Sequence, residues 1–172
     1  MGAITESMTT WLAEHGIPEW LIPFLVSILP IIELRGGIIA ARVLDMELIQ
    51  AIWEYMLGNI LPIPFILLFI DKIFDFLKKH KVPLLTKMVV YLEDKAMNKS
   101  STMEKGEFWF LLFFVGIPLP GTGAWTGSLI ASLRKIPLKK AVPAIFLGLC
   151  LASAIMCTLC YGFPEVFAKM FG

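Results

Sequence analysis

Apolar positions along this chain come in blocks rather than in the sparse stripes of a soluble helix. Leu48 to Ile70 is apolar apart from Gln50, Glu54 and Asn59, and Ala141 to Phe163 carries no charge. Each run reaches the roughly 20 residues that cross a bilayer core, so each predicts a spanning helix. Two further apolar blocks, Trp20 to Leu44 and Phe108 to Leu133, are broken by proline and glycine. Pro30, Gly36 and Gly37 lie mid-block in the first, and Pro118, Pro120, Gly121 and Gly123 in the second. Such breaks suit a hairpin of two legs of about 10 to 12 residues, each reaching about half the bilayer thickness. The polar stretch 71–105 has apolar residues near helical spacing with lysines between them, as an amphipathic surface helix would. Met1 to His15 is acidic and amphipathic, and Trp11 and Leu12 suit a membrane surface.

The two halves match without a gap when the first is shifted by about 90 residues. Pro30 then falls on Pro120, Gly37 on Gly127, Ala41 on Ala131, Ala51 on Ala141 and Gly58 on Gly148. Internal duplication with interrupted hydrophobic segments is a transporter signature. Repeat one is 18–70, the connector is 71–105 and repeat two is 107–163, within one membrane domain, 1–172.

Charge decides how the broken blocks run. Lysines crowd the connector, and Arg134, Lys135, Lys139 and Lys140 form a second basic cluster. If each broken block spans once, the clusters fall on opposite sides of the membrane. If each is re-entrant, both face the cytoplasm, as basic loops prefer, and both termini face outward. The expected fold is therefore all-α and integral to the membrane. It is an inverted repeat of two units, each a re-entrant helical hairpin plus a transmembrane helix, joined by a basic amphipathic cytoplasmic connector. The alternative, single spans, stays open at this point.

The composition agrees: 58% of the 172 residues are hydrophobic, 17% are charged, and mean hydropathy is +0.78. No Lys or Arg precedes Arg35, so the start lacks the positive region of a secretory signal.

Chemistry concentrates where charge meets apolar sequence. Glu33 and Arg35 lie inside a hydrophobic block, where charges are costly and usually face a partner. Arg35 could hold an anionic group such as a phosphate with its forked donors. Glu33 could bind a proton or cation, coupling transport to protons or sodium. Alternatively the two simply pin the hairpin tip, with Gly36 and Gly37 beside them. In the second tip, Gly121, Thr122, Gly123 and Thr126 offer backbone amides and hydroxyls to a ligand, or merely permit a tight turn. Trp125 aligns with Arg35 and could line a cavity or pack. Glu54 and Asn59 are the polar groups within the first spanning run, with proton binding or interhelical hydrogen bonding as their roles.

Several classes are excluded. Cys157 and Cys160 have no accompanying ligands or basic group, so no metal or redox site is expected. No phosphate-binding glycine loop exists, and neither histidine is intramembrane, which removes the base a serine hydrolase needs. No enzyme activity, cofactor or nucleic-acid partner is expected.

The stretches Pro30-Ile-Ile-Glu33-Leu-Arg35-Gly36-Gly37-Ile38 and Gly116-Ile-Pro118-Leu-Pro120-Gly121-Thr122-Gly123-Ala-Trp125-Thr126-Gly127 resemble the bacterial family of small multidrug export proteins. That family is similar to the DedA (VTT-domain) superfamily. The resemblance implies paired re-entrant hairpins in the bacterial inner membrane. It also implies a secondary transporter or lipid flippase moving an amphiphile with an anionic headgroup, polyprenyl phosphate or phospholipid-like. Alternatives are a multidrug exporter and a non-transporting scaffold that recruits partners through its connector. Between Glu107 and Arg134 the second motif carries neither acid nor arginine, so charged groups of a DedA second half have no counterpart here. Membrane lipids are expected partners, and the small size suggests a homodimer.

Overall fold

The computed structural model describes residues 2–30, 32–79, 106–119 and 121–163; over 71–79 this extends to the helical backbone only. These residues are all-helical, and none of them forms a strand. Most of the expected connector, 80–105, lies outside them, as does Pro120.

Helix α1 (Gly2–Glu14) buries Gly2, Thr5 and Thr9. Its Met8, Leu12 and Ala13 cover a small core of Ile22, Val26 and Ala40. The expected surface segment is thus packed on one face, while Trp11 stays 55% exposed on the other.

A short 3-10 turn (Glu19–Leu21) leads into α2 (Ile22–Ile28), and α3 (Glu33–Val43) follows. Pro30 ends α2 because the residue before a proline is pushed out of the helical region. Leu29 accordingly has ψ 129°. Gly36 and Gly37 are not in the turn, where the hairpin reading put them, but one turn inside α3. They are there for packing. A Cβ on Gly37 would sit 1.9 Å from Ser27 Oγ and 2.5 Å from Tyr55 Cβ, so their absence lets α3 close on α2 and α4.

The first long apolar element divides into α4 (Leu48–Ile60) and α5 (Pro62–Lys79) around Leu61. Pro62 and Pro64 cannot donate to the preceding turn, which explains the interruption. Helix α5 passes the boundary expected at Asp71 and is helical through Lys79.

In the second half, α6 (Glu107–Gly116) and α7 (Ala124–Leu133) flank the turn, and α8 (Leu138–Cys157) follows, ending in a π-helical turn (Thr158–Gly162). Leu48–Ile70 and Leu138–Gly162 are long and apolar enough to cross a membrane.

One backbone detail recurs at the 90-residue offset read from the sequence. After α3, Met46 N–H donates to Ala41 C=O (3.0 Å) and Asp45 N–H to Arg42 C=O (3.2 Å). After α7, Ile136 donates to Ala131 (2.9 Å) and Lys135 to Ser132 (2.8 Å). Both are Schellman closures. Their left-handed residues are Asp45 (φ 53°) and Lys135 (φ 54°), matching positions of the repeat.

The halves also exchange partners. Helix α2 packs on α3 and α4, and α6 packs on α8; across halves, α5 packs on α7 and α3 on α8. Buried Tyr55 joins the two long elements, its hydroxyl 2.5 Å from Ser153 Oγ.

Candidate functional site

The two interhelical turns contact each other through Glu33, Arg35, Thr122 and Trp125. Glu33 opens α3 with φ 51°, a left-handed conformation costly for a residue with a side chain. That twist aims its carboxylate out of its own half. Oε1 accepts the backbone N–H of Trp125 at 3.2 Å, and the N–H groups of Ala124 and Thr126 also bond to the carboxylate. These are the first free amides of α7, where a helix normally takes a cap from its own N-cap side chain. Here the N-cap is Gly123, with no side chain to offer. Glu33 takes that role from the other half, and its negative charge suits the positive end of the helix. The group is 4% exposed.

Arg35, 6% exposed, lies one short step along α3. Its Nη2 donates to the Thr122 carbonyl and reaches Thr122 Oγ1 at 3.4 Å. The Thr122 hydroxyl also lies 2.7 Å from Ile117 C=O and 2.8 Å from Leu119 C=O, so it folds the second turn back on itself. In return, Trp125 Nε1–H donates to Ile28 C=O at 3.0 Å, a carbonyl at the end of α2. Each turn therefore satisfies orphaned backbone groups of the other. The bonds that Glu33 and Arg35 make through their charges contribute about 1.5–3 kcal/mol each.

Of the residues singled out in the sequence, Glu33, Arg35, Thr122, Gly123 and Trp125 come together in this clasp. Thr126 touches it through its amide. Gly121 (φ 84°) has open space around it, so it serves the turn. Pro118 is half-buried before it. Gly36 and Gly37 lie in the α3 packing surface. Glu54 stands apart, with Oε1 accepting from Gln50 Nε2 at 3.0 Å and a buried Oε2 lacking a partner among the described residues. Asn59 is fully buried, and neither atom of its amide has such a partner.

The clasp bears on the two roles weighed for Glu33 and Arg35. Both side chains are engaged with the opposite turn. Trp125 bridges the halves through both of its N–H groups, to Glu33 and to Ile28 C=O, a role its sequence context did not point to. Arg42, far from the clasp, pairs with Asp45 at 3.2 Å and lies over the Tyr161 ring. No group of three or more potential metal ligands occurs among the described residues.

No curated protein and no solved structure matches the chain. A family model does match, over residues 33–155, a stretch that contains both halves of the clasp, Glu33 with Arg35 and Thr122 with Trp125. The chain belongs to the family described as "Putative small multi-drug export protein".

Proposed function

We propose that this protein is a polytopic membrane transporter that exports small hydrophobic or amphiphilic molecules, with the clasp between its two turns acting as a closed gate. The observation that carries this reading is the reciprocal capping of α7 by Glu33 and of α2 by Trp125. Two turns that satisfy each other's backbone groups make an arrangement that can exist in two states, closed or parted around a ligand. Irregular backbone at membrane depth needs such surroundings, protein or a water-filled cavity.

In this reading the duplicated halves are inverted, and the turns are re-entrant tips meeting near the bilayer midplane. The basic connector and the Arg134–Lys140 link face the cytoplasm of a bacterial cell. Energy comes from a proton or sodium gradient, and two copies assemble. A groove of about 320 Å³ along α6, lined by Trp109, Phe110, Phe113, Phe114 and Leu119, reaches Thr122. It is of a size and apolarity that suit a lipophilic ligand approaching the clasp. Export of small molecules is favoured over lipid flipping. An anionic headgroup would have to displace Thr122 from Arg35, and the resemblance to DedA proteins alone speaks for lipid.

Two measurements test the reading. With the native cysteines replaced, Met46→Cys should label from outside intact cells and Pro137→Cys only from inside; external labelling of position 137 would break the re-entrant arrangement. Proteoliposomes should then move a panel of fluorescent lipophilic dyes when a proton or sodium gradient is imposed. Failure to move any of them under either gradient would rule out export.

A further inference from the structure

The surface of the long elements carries a cleft that the gate does not use. Ile63, Leu67 and Leu68 of α5 form one wall, and Leu138, Val142 and Phe146 of α8 the other, enclosing about 170 Å³. Leu138, Val142 and Phe146 recur every four residues, so they form one stripe. They are 45%, 48% and 47% exposed. The stripe is about 12 Å long at 1.5 Å per residue, within the half-thickness of a bilayer core of about 15 Å.

One end of the stripe is strongly basic. Lys139 and Lys140 sit in the first turn of α8, which contains no acidic residue, and Pro137 supplies no side-chain cap. Cations at the positive end of a helix are unfavourable, so these lysines do not stabilise α8 itself. Lys140 is 3.8 Å from Glu107, and Arg134 stacks over Phe110. Lys135 and Lys139 are exposed and form no ion pair among the described residues.

We propose that this cleft binds an anionic phospholipid, its headgroup held by Lys135 and Lys139 and one acyl chain lying between α5 and α8. The inference rests on the membrane reading above but concerns a separate surface, so export and lipid binding can fail independently. The charge of the occupant follows from the lysines, and its apolar tail from the stripe beside them.

The test uses the full chain extracted from membranes in a neutral maltoside detergent. Native mass spectrometry compares retention of phosphatidylglycerol and phosphatidylcholine. The wild type should retain phosphatidylglycerol with a preference of about 30-fold, two lysines at about 1 kcal/mol each. The Lys135→Ala/Lys139→Ala variant should lose that preference while melting at the wild-type temperature. Val142→Trp, which fills the cleft and leaves the lysines, should retain neither lipid. Equal retention of both lipids by the wild type, or an undiminished preference in the double variant, would overturn the lipid site and leave the export reading standing. A chain recovered in the soluble fraction would sink both.

Discussion

Glu33 of the first half and Gly123 of the second occupy matching positions of the duplication, and they touch. A Cβ on Gly123 would lie 1.6 Å from Glu33 Oε2. Matching points of two halves related by a two-fold axis can meet only beside that axis. Such a contact is compatible with any two-fold arrangement of the halves, the inverted one we propose among them.

Gly123→Ala should consequently be severe. The new methyl group collides with the Glu33 carboxylate, and φ 144° is outside the range that alanine tolerates. A loss of about 3 kcal/mol is expected, read as a lowered melting temperature in detergent. Pairing it with Glu33→Ala should recover the part due to the collision but not the part due to backbone strain. Additive losses would mean the two residues do not meet.

Arg35→Ala should cost about 2–4 kcal/mol, since the Thr122 carbonyl loses its donor in a partly buried setting. Arg35→Lys should recover little, because an ammonium lacks the reach and fork of the guanidinium. Thr122→Ala removes only the hydroxyl, at 3.4 Å from Arg35, and leaves the carbonyl bond intact. Its cost should stay near 1 kcal/mol, mostly from the lost bonds within the turn. If Arg35 pins the gate, dye movement and melting temperature should fall together in Arg35→Ala. Lost transport at an unchanged melting temperature would make Arg35 a substrate ligand instead.

The sequence made the skeleton readable because its signals are local. The prolines at 30 and 118 sit in the turns they predict, and the repeat offset that aligns Ala41 with Ala131 also aligns their hydrogen bonds. Glu33 and Arg35 were conspicuous because charge in an apolar block demands a partner. That partner was not legible. Arg35 binds a backbone carbonyl, and Glu33 binds backbone amides, groups that every residue carries and no sequence pattern advertises. Gly36 and Gly37 were misplaced for a related reason. Glycine spells both a turn and a close helix contact, and only the position of Ser27 and Tyr55 decides between them.

The same packing logic distinguishes two matching glycines. A Cβ on Gly58 would lie 2.4 Å from the Phe24 carbonyl oxygen, and one on Gly148 would lie 2.8 Å from that of Leu112. Both face backbone, which cannot rotate away. Gly58→Ala and Gly148→Ala should each destabilise the protein by about 1–3 kcal/mol despite alanine's better helix propensity. Gly58→Ala should be the worse, because its contact is closer. Thermal melts of the pair decide this, and an alanine that stabilises either helix would show that α2 or α6 can shift outward.

Tyr55 and Ser153 hold the long element of one half to that of the other through a single hydroxyl pair, 2.5 Å apart, with Cys157 Sγ 3.2 Å from the same phenol oxygen. Both oxygens are buried, so neither can turn to water when the other is removed. Tyr55→Phe leaves the Ser153 hydroxyl with only the 3.9 Å contact to Cys157, and should cost about 1 kcal/mol. Ser153→Ala should cost about the same. Because the two changes delete one interaction, the double variant should be scarcely worse than either single variant, a coupling of about 1 kcal/mol in the cycle. Strictly additive losses would mean that Cys157, not Ser153, is the partner that matters, and Cys157→Ala in the Ser153→Ala background would then show the coupling with Tyr55.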